Sequence, residues 1–183
     1  MDHRKAENKR VKNAITESLF TLMHQKSLQE ISISEIIRLA GVARCSFYRN
    51  YKSKEDVLIT LVRDILEDFR ASADYDLHDY TSEKHIRRCI AYFKRYKNYV
   101  LDLLHSGFGT MLLDELNHFH EAVAGDLPAD SPKRYRLYIF IGALYNTMTV
   151  WLQEENPLSE DELVKSIVTI HSPSCCDSNG FCQ

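Results

Sequence analysis

The sequence predicts an all-α protein of about nine helices, with an N-terminal helix-turn-helix unit followed by a helical body. Three observations carry this. Apolar residues recur at helical spacing along most of the chain. The 183 residues include only 6 Gly and 4 Pro, too few for the turns of a strand-rich fold. Between Ser32 and Asn50 a capped short helix, a glycine stop and a second short helix follow one another directly.

The elements can be justified in order. Val11, Ile15, Leu19 and Leu22 form one stripe, with Lys9, Lys12 and Glu17 left to water, so a first helix runs from about residue 4 to Gln25. Ser32 caps the helix ISEIIRLA, and Glu35 is the returning acid of a capping box. Gly41 directly after Ala40 is a left-handed stop. A short helix follows from Ala43 to Asn50. The run Ser53, Lys54, Glu55, Asp56 places a cap and two acids at the positive end of a fourth helix, which continues to about Ala71 on Val57, Leu61, Ile65 and Phe69. Residues 72–82 are a polar loop ending at a Ser or Thr cap. The fifth helix covers about 83–96, with Ile86, Ile90 and Phe93 inside, and Asn98 is the expected break before a sixth helix at 98–105. Gly107 and Gly109 mark the turn into a seventh helix at 109–124. Residues 125–132 form a loop, and Pro132 suits the first position of an eighth helix, 132–154. That helix is apolar on more than one face, which predicts burial on most sides. Ser159 caps the ninth helix, with Glu162 at the box position and an end near Ile170. The tail, 172–183, is expected to be disordered.

The composition, 44% hydrophobic and 27% charged, is that of a soluble globular chain and excludes wholesale disorder. The longest apolar stretch, 138–152, is interrupted by Gly142, Asn146, Thr147 and Thr149, whereas a bilayer span takes about 20 mostly apolar residues. No apolar signal core follows MDHRKAENKR, so the expected location is cytoplasmic. The net charge of -3 conceals an asymmetry. Residues 1–54 carry 11 Lys and Arg against 5 Asp and Glu, and the remainder carries 12 against 21. A basic head on an acidic body points to a polyanion at one end.

The segment 43–51 offers the two faces that a helix in the major groove needs. Ala43, Phe47 and Tyr51 step by four and can pack inward, while Arg44, Cys45, Tyr48 and Arg49 fall opposite, with Ser46 at the edge. Arg44 and Arg49 have bidentate reach to guanine, and Ser46, Tyr48 and Lys54 are suitable phosphate partners. Arg4, Lys5, Lys9 and Arg10 can follow the duplex backbone or enter the minor groove.

The stretch ISISEIIRLAGVARCSFYRNYKSKEDVL resembles the DNA-binding region of TetR-family transcriptional regulators. The resemblance rests on Ser32, Ile36, Ala40, Gly41, Val42, Ser46, Phe47, Tyr48, Tyr51, Ser53, Lys54 and Glu55 at fixed spacing over about 28 residues. The chain departs from the family where Ala43 replaces a frequent Ser and Cys45 a frequent Gly. The resemblance implies that Tyr48 and Lys54 hold phosphates and that Arg44, Ser46, Arg49 and Asn50 lie at or near DNA. With Ser32 and Cys45 these make the candidate DNA-binding set. It further implies a DNA-binding domain over 1–52 and a ligand-binding and dimerisation domain over 53–171, with the last two helices forming a four-helix bundle with a second subunit. The candidate dimer face is Leu137, Ile141, Leu144, Met148, Leu163 and Ile167. Candidate pocket residues for a small apolar or aromatic ligand are Phe69, Tyr92, Tyr96, Phe108, Met111, Tyr138, Tyr145 and Trp151, although aromatics at this spacing serve a core as readily.

No metal site, cofactor or catalytic constellation is expected. His118 and His120 point in different directions on one helix, and His118 with Asp114 lacks further partners. No phosphate loop, nucleophile elbow or zinc-protease helix is present in the sequence. The cysteines Cys45, Cys89, Cys175, Cys176 and Cys182 have no regular spacing for a disulfide framework. The expected function is a dimeric repressor that binds a palindromic operator and leaves it when a small molecule binds. The alternative is a ligand-free regulator acting through protein–protein contacts.

Overall fold

The structure, a computed structural model, describes residues 2–171 apart from 75, 126 and 156. Among the described residues the chain is all-α. The helices are α1 (Asp2–Met23), α2 (Ile33–Ala40), α3 (Arg44–Asn50), α4 (Lys54–Ala71), α5 (Glu83–Arg95), α6 (Lys97–His105), α7 (Gly109–Ala124), α8 (Pro132–Gln153) and α9 (Glu160–His171). A 3-10 turn, Leu28–Glu30, was not anticipated; Ser27 starts it by donating its N–H and hydroxyl to the Glu30 carboxylate at 3.0 and 2.6 Å. The expected tail and its Cys175, Cys176 and Cys182 lie outside the described residues.

Short polar signals set the helix ends. Ser32 Oγ accepts the Glu35 N–H at 3.2 Å, and the Ser32 N–H and hydroxyl donate to the Glu35 carboxylate at 2.9 and 2.8 Å. Gly41 stops α2 at φ 63°, a left-handed conformation that glycine adopts without a Cβ penalty. Ser82, Ser131 and Ser159 cap α5, α8 and α9, accepting N–H bonds from His85, Lys133 and Glu162, each at 3.3 Å. Pro132 is the first residue of α8.

Three expectations are corrected. The break between α5 and α6 falls at Tyr96, not Asn98. Asn98 sits in the first turn of α6, where its N–H needs no partner within the helix. On α4 the buried residues are Val57, Leu58, Val62 and Phe69, while Leu61 and Ile65 are only half-buried. A stripe stepping by four alone drifts around a helix of 3.6 residues per turn, so the buried face alternates steps of three and four. The third correction concerns α8 and α9. Leu137, Ile141, Leu144, Met148, Leu163 and Ile167 are all buried within the single chain, none more than 7% exposed. They fill its own core and are not a face left for a second subunit. The outward stripe of α8 carries Tyr135, Ile139 and Val150, at 58%, 65% and 49% exposure, with Ala143 between them.

The chain divides into two compact units, residues 1–68 with 102–115, and residues 69–101 with 116–183. In the first, Ile15, Leu19, Ile36, Phe47, Tyr51, Val57 and Leu58 form the core. Polar ties draw later elements into this unit: Lys12 pairs with Asp64, His24 lies 2.9 Å from Asp102, and Arg63 grips the buried Glu115 with two bonds of 2.7 and 2.9 Å. In the second, Ile86, Ile90, Leu137, Phe140, Ile141, Met148 and Val164 are buried together with His85 and His120. Arg87 and Lys94 of α5 pair with Asp161 and Glu160 of α9.

Candidate functional site

Two aromatic anchors orient α3. Phe47 is fully buried and touches Tyr51 at a ring distance of 5.7 Å and the edge of Tyr48 at 5.4 Å. Tyr51 is 2% exposed, and burial pushes its phenol up to about 12, so it stays neutral. Ala43, expected inward, is exposed. As the residue before the helix it has extended backbone, φ -71° and ψ 146°, so the helical step of four does not reach it. It also supplies no side-chain cap.

With Phe47 and Tyr51 inward, Arg44, Cys45, Tyr48 and Arg49 are exposed, while Ser46 and Asn50 are half-buried. Arg44 donates to the Tyr48 hydroxyl at 3.3 Å, and its guanidinium carbon lies 5.4 Å from that ring's centre. The Asn50 amide donates to the Ser46 carbonyl at 2.8 Å. Ser32 is exposed and holds the capping box. The Lys26 ammonium, 2.6 Å away, and the Ser32 bonds bring the Glu35 carboxyl down to about 2. Arg4, Lys5, Lys9 and Arg10 are exposed on the first turns of α1. This is a short helix fixed from beneath that offers cations and hydroxyls outward, as readout of a duplex requires.

Lys54 is engaged differently from the expectation. Its ammonium donates to the carbonyls of Leu28, Gln29 and Ile31 at 2.5, 3.1 and 2.8 Å. An ammonium has three protons, so all are committed to the protein. No local signal announces this bond set, because its acceptors lie 23 to 26 residues earlier in the chain.

The eight pocket candidates are divided between the two compact units. Phe108 and Met111 belong to the first compact unit and the other six to the second. Phe69 is buried, with Tyr92 edge-on at 5.0 Å, His85 at 5.7 Å and Phe119 at 6.0 Å; Tyr96 lies 6.0 Å from Tyr92. Tyr138 donates to the Glu121 carboxylate, which also accepts from Arg134 at 3.0 Å. The buried Trp151 donates its indole N–H to the Leu158 carbonyl at 2.8 Å, tying α8 to the connection that follows. Tyr145 is half-buried. A groove of about 440 Å³ is lined by Glu121, Ala122, Gly125, Leu127, Ala129 and Arg134, and includes none of the eight.

Of the histidine pair, His118 and Asp114 are exposed while His120 is buried 6.0 Å from His85, ring to ring. The sequence did not single out His85, Arg88 or Asn117. Cys45 is exposed, whereas Cys89 is buried, which pushes its thiol up to about 12.

Residues 15–61 match the family described as bacterial regulatory proteins, tetR family. The match runs from the buried half of α1 through the capping box and α3 into α4. No curated protein is similar enough to count as a match. Among solved structures, a TetR transcriptional regulator from Streptococcus agalactiae is 22% identical, with 91% of this chain and 96% of that one covered at a TM-score of 0.62. A protein from Listeria innocua is 16% identical over 93% and 92%, with a TM-score of 0.72. A dihydroxyacetone kinase operon activator is 14% identical over 87% and 93%, with a TM-score of 0.57. At these identities the likeness is one of fold. The match over 15–61 lies on a helix-turn-helix whose second helix is anchored by Phe47 and turned outward at Arg44 and Arg49, so this head is similar to the DNA-binding region of tetR-family regulatory proteins.

Proposed function

We propose that this chain is a DNA-binding transcriptional regulator of the TetR family, a homodimeric, cytoplasmic repressor that holds a palindromic operator through α3 and releases it when a small molecule binds its body. The observation that carries the DNA side is the sidedness of α3: Phe47 and Tyr51 buried, Arg44, Cys45, Tyr48 and Arg49 exposed. Arg44 and Arg49 read base edges. Ser32, Ser46, Tyr48 and Asn50 meet phosphates or the groove wall. Lys54 acts from beneath, by fixing the start of α4 against the turn that precedes α2. In this reading residues 1–52 serve DNA and 53–171 serve ligand and pairing, and α4 carries the ligand's effect to α3.

The pairing surface assigned here is the outward stripe of α8, Tyr135, Ile139, Ala143 and Val150. Its support is that three large apolar residues, at 135, 139 and 150, lie exposed on one face of α8, while the opposite face is already filled. The support for a ligand is the aromatic supply around Phe69, which extends along α5 to Tyr92 and Tyr96.

The test is selection of bound DNA from a random pool with the purified protein. The expected product is a palindrome whose half-sites lie about 34–36 Å apart, one helical turn. Arg49→Ala is expected to relax base preference at one position by about 1–3 kcal/mol, while Tyr48→Phe weakens all sequences alike. Enrichment of no sequence would instead favour the regulator that works through protein contacts.

A further inference from the structure

The second compact unit contains a cation that the described residues do not neutralise. Arg88 of α5 lies over the rings of Phe69 and Tyr92, 5.0 and 5.3 Å from their centres. One of its terminal nitrogens donates to the Phe69 carbonyl at 3.2 Å and to the Ser72 hydroxyl. Its Nε is buried and has no hydrogen-bond partner among the described residues. No carboxylate among them pairs with it: Asp74, whose carboxyl feels its charge, is held by Lys84 at 3.1 Å.

Two acceptors lie in the same unit. His120 is 5% exposed, and its Nδ1 lies 2.8 Å from the Leu116 carbonyl. That contact requires the proton on Nδ1, so Nε2 is an acceptor, and among the described residues nothing donates to it. Asn117, one turn earlier on α7, also has a buried Oδ1 with no partner there. The rings connect these groups: Phe119 is 5.2 Å from His120 and 6.0 Å from Phe69, the ring on which Arg88 lies. Native interiors seldom leave such groups unmatched, and here Arg88 and His120 both border one aromatic cluster.

We infer that this cluster is a binding site for a small aromatic carboxylate. The carboxylate accepts from the unpartnered Nε of Arg88 and takes the place of the Ser72 hydroxyl on Nη2, which gives the planar fork two parallel bonds. The ring joins Tyr92 and Phe119 in edge or offset contact. A hydroxyl on that ring supplies the donor that His120 lacks. Arg88 and Tyr92 are each half-buried, so the site is reached from the surface without opening the core around Ile86 and Ile90. The assignment rests on the ligand-released reading above and gives the ligand its charge and class.

The test uses the full chain and four probes at millimolar concentration: benzoate and para-hydroxybenzoate, with benzamide and benzyl alcohol as neutral controls. The two carboxylates are expected to raise Tm, the hydroxylated one more, and the neutral pair to leave it unchanged. Arg88→Gln is expected to weaken carboxylate binding about tenfold or more, the size of a lost charge-assisted pair, with far-UV circular dichroism unchanged. If Arg88→Gln does not fold, Arg88→Lys keeps the charge without the fork and is expected to lose the preference for carboxylates. Equal shifts from charged and neutral probes would overturn the assignment and leave a ligand-released repressor standing. No shift from any probe also overturns it; a lipophilic compound that still released the operator would separate that failure from failure of the ligand reading itself.

Discussion

The α2–α3 head and the α5–α7–α8 interior reach stability by opposite means. In the head, polar groups are satisfied close by in sequence. Ser27 meets Glu30, Ser32 meets Glu35, and Asn50 meets the Ser46 carbonyl. Lys54 and Tyr51 reach farther, Lys54 to the Leu28, Gln29 and Ile31 carbonyls and Tyr51 to Thr16. The interior places His85 and Arg88 of α5 and His120 of α7 among aromatic rings, and leaves Arg88 Nε, Asn117 Oδ1 and His120 Nε2 without partners among the described residues. The head presents its charges outward to a polyanion. The interior holds charge and polarity inward, where each unmatched group is costly. Local rules thus fix the shape of the head, whereas the interior depends on contacts between helices far apart in sequence.

The largest expected effect tests whether the head depends on a single anchor. Phe47 is fully buried and touches Tyr48 and Tyr51. Phe47→Ala is expected to cost about 3–5 kcal/mol and to abolish operator binding. Chemical denaturation measures the first and a binding titration the second. A cost below about 1 kcal/mol would mean that α3 is held by its flanking turns rather than by this ring.

The second expectation tests the interior by pH. His85 is 1% exposed and faces Phe69 of α4, Arg88 on its own helix, His120 of α7 and Phe140 of α8. Burial, then the charges of His120 and Arg88, lower its value from 6.5 to about 4. The folded state therefore favours the neutral ring. This contribution is fully present above pH 6.5 and is lost as pH falls from there toward about 4. The loss is about 3 kcal/mol when complete. His120, lowered chiefly by burial, adds in the same direction. His85→Gln is expected to flatten the profile between pH 6.5 and 4, measured as denaturation midpoint against pH.

The same contrast explains what was legible in the sequence. Ser32, Glu35 and Gly41 fix α2 within ten residues, so both ends of that helix were readable, and the sidedness of α3 followed from Phe47 and Tyr51 alone. Ala43 was misplaced only because it precedes the helix whose periodicity was applied to it. The unpaired centre was not readable, because Arg88 gains meaning from Phe69 nineteen residues earlier, and His120 from His85, across helices that periodicity treats separately. Helical spacing likewise gives the face of a residue, not the unit to which Phe108 or Trp151 contributes.

A third substitution tests the tie from Lys54 to the turn before α2. Lys54→Met preserves the length of the side chain and removes the three donors from the Leu28, Gln29 and Ile31 carbonyls. The expected cost is about 1–3 kcal/mol, reduced where water reaches the carbonyls. If Lys54 works from beneath, operator affinity falls in step with stability and base preference is unchanged. A loss of affinity with stability intact would return Lys54 to a direct phosphate contact, and the salt slope would then fall by about one unit.

The smallest effect on stability is expected at Ile139, and its contrast with Leu144 distinguishes two faces of α8 that look alike in sequence. Leu144 is 5% exposed and Ile139 is 65% exposed, although both lie on the same apolar helix. A carboxylate at Leu144 would be buried without a partner, so Leu144→Glu is expected to unfold the second unit. At Ile139 the added charge meets water in the single chain, and Ile139→Glu is expected to change stability by no more than about 0.5 kcal/mol. In a dimer paired through Tyr135, Ile139 and Val150 the same charge would be placed between two copies of itself across the two-fold axis, an isologous contact in which each substitution counts twice. Ile139→Glu should therefore yield a folded monomer by light scattering at micromolar concentration, with normal circular dichroism and weakened operator binding. If Ile139→Glu remains a dimer, pairing uses another surface, and if the unsubstituted chain is itself a monomer at that concentration, the paired arrangement fails as a whole.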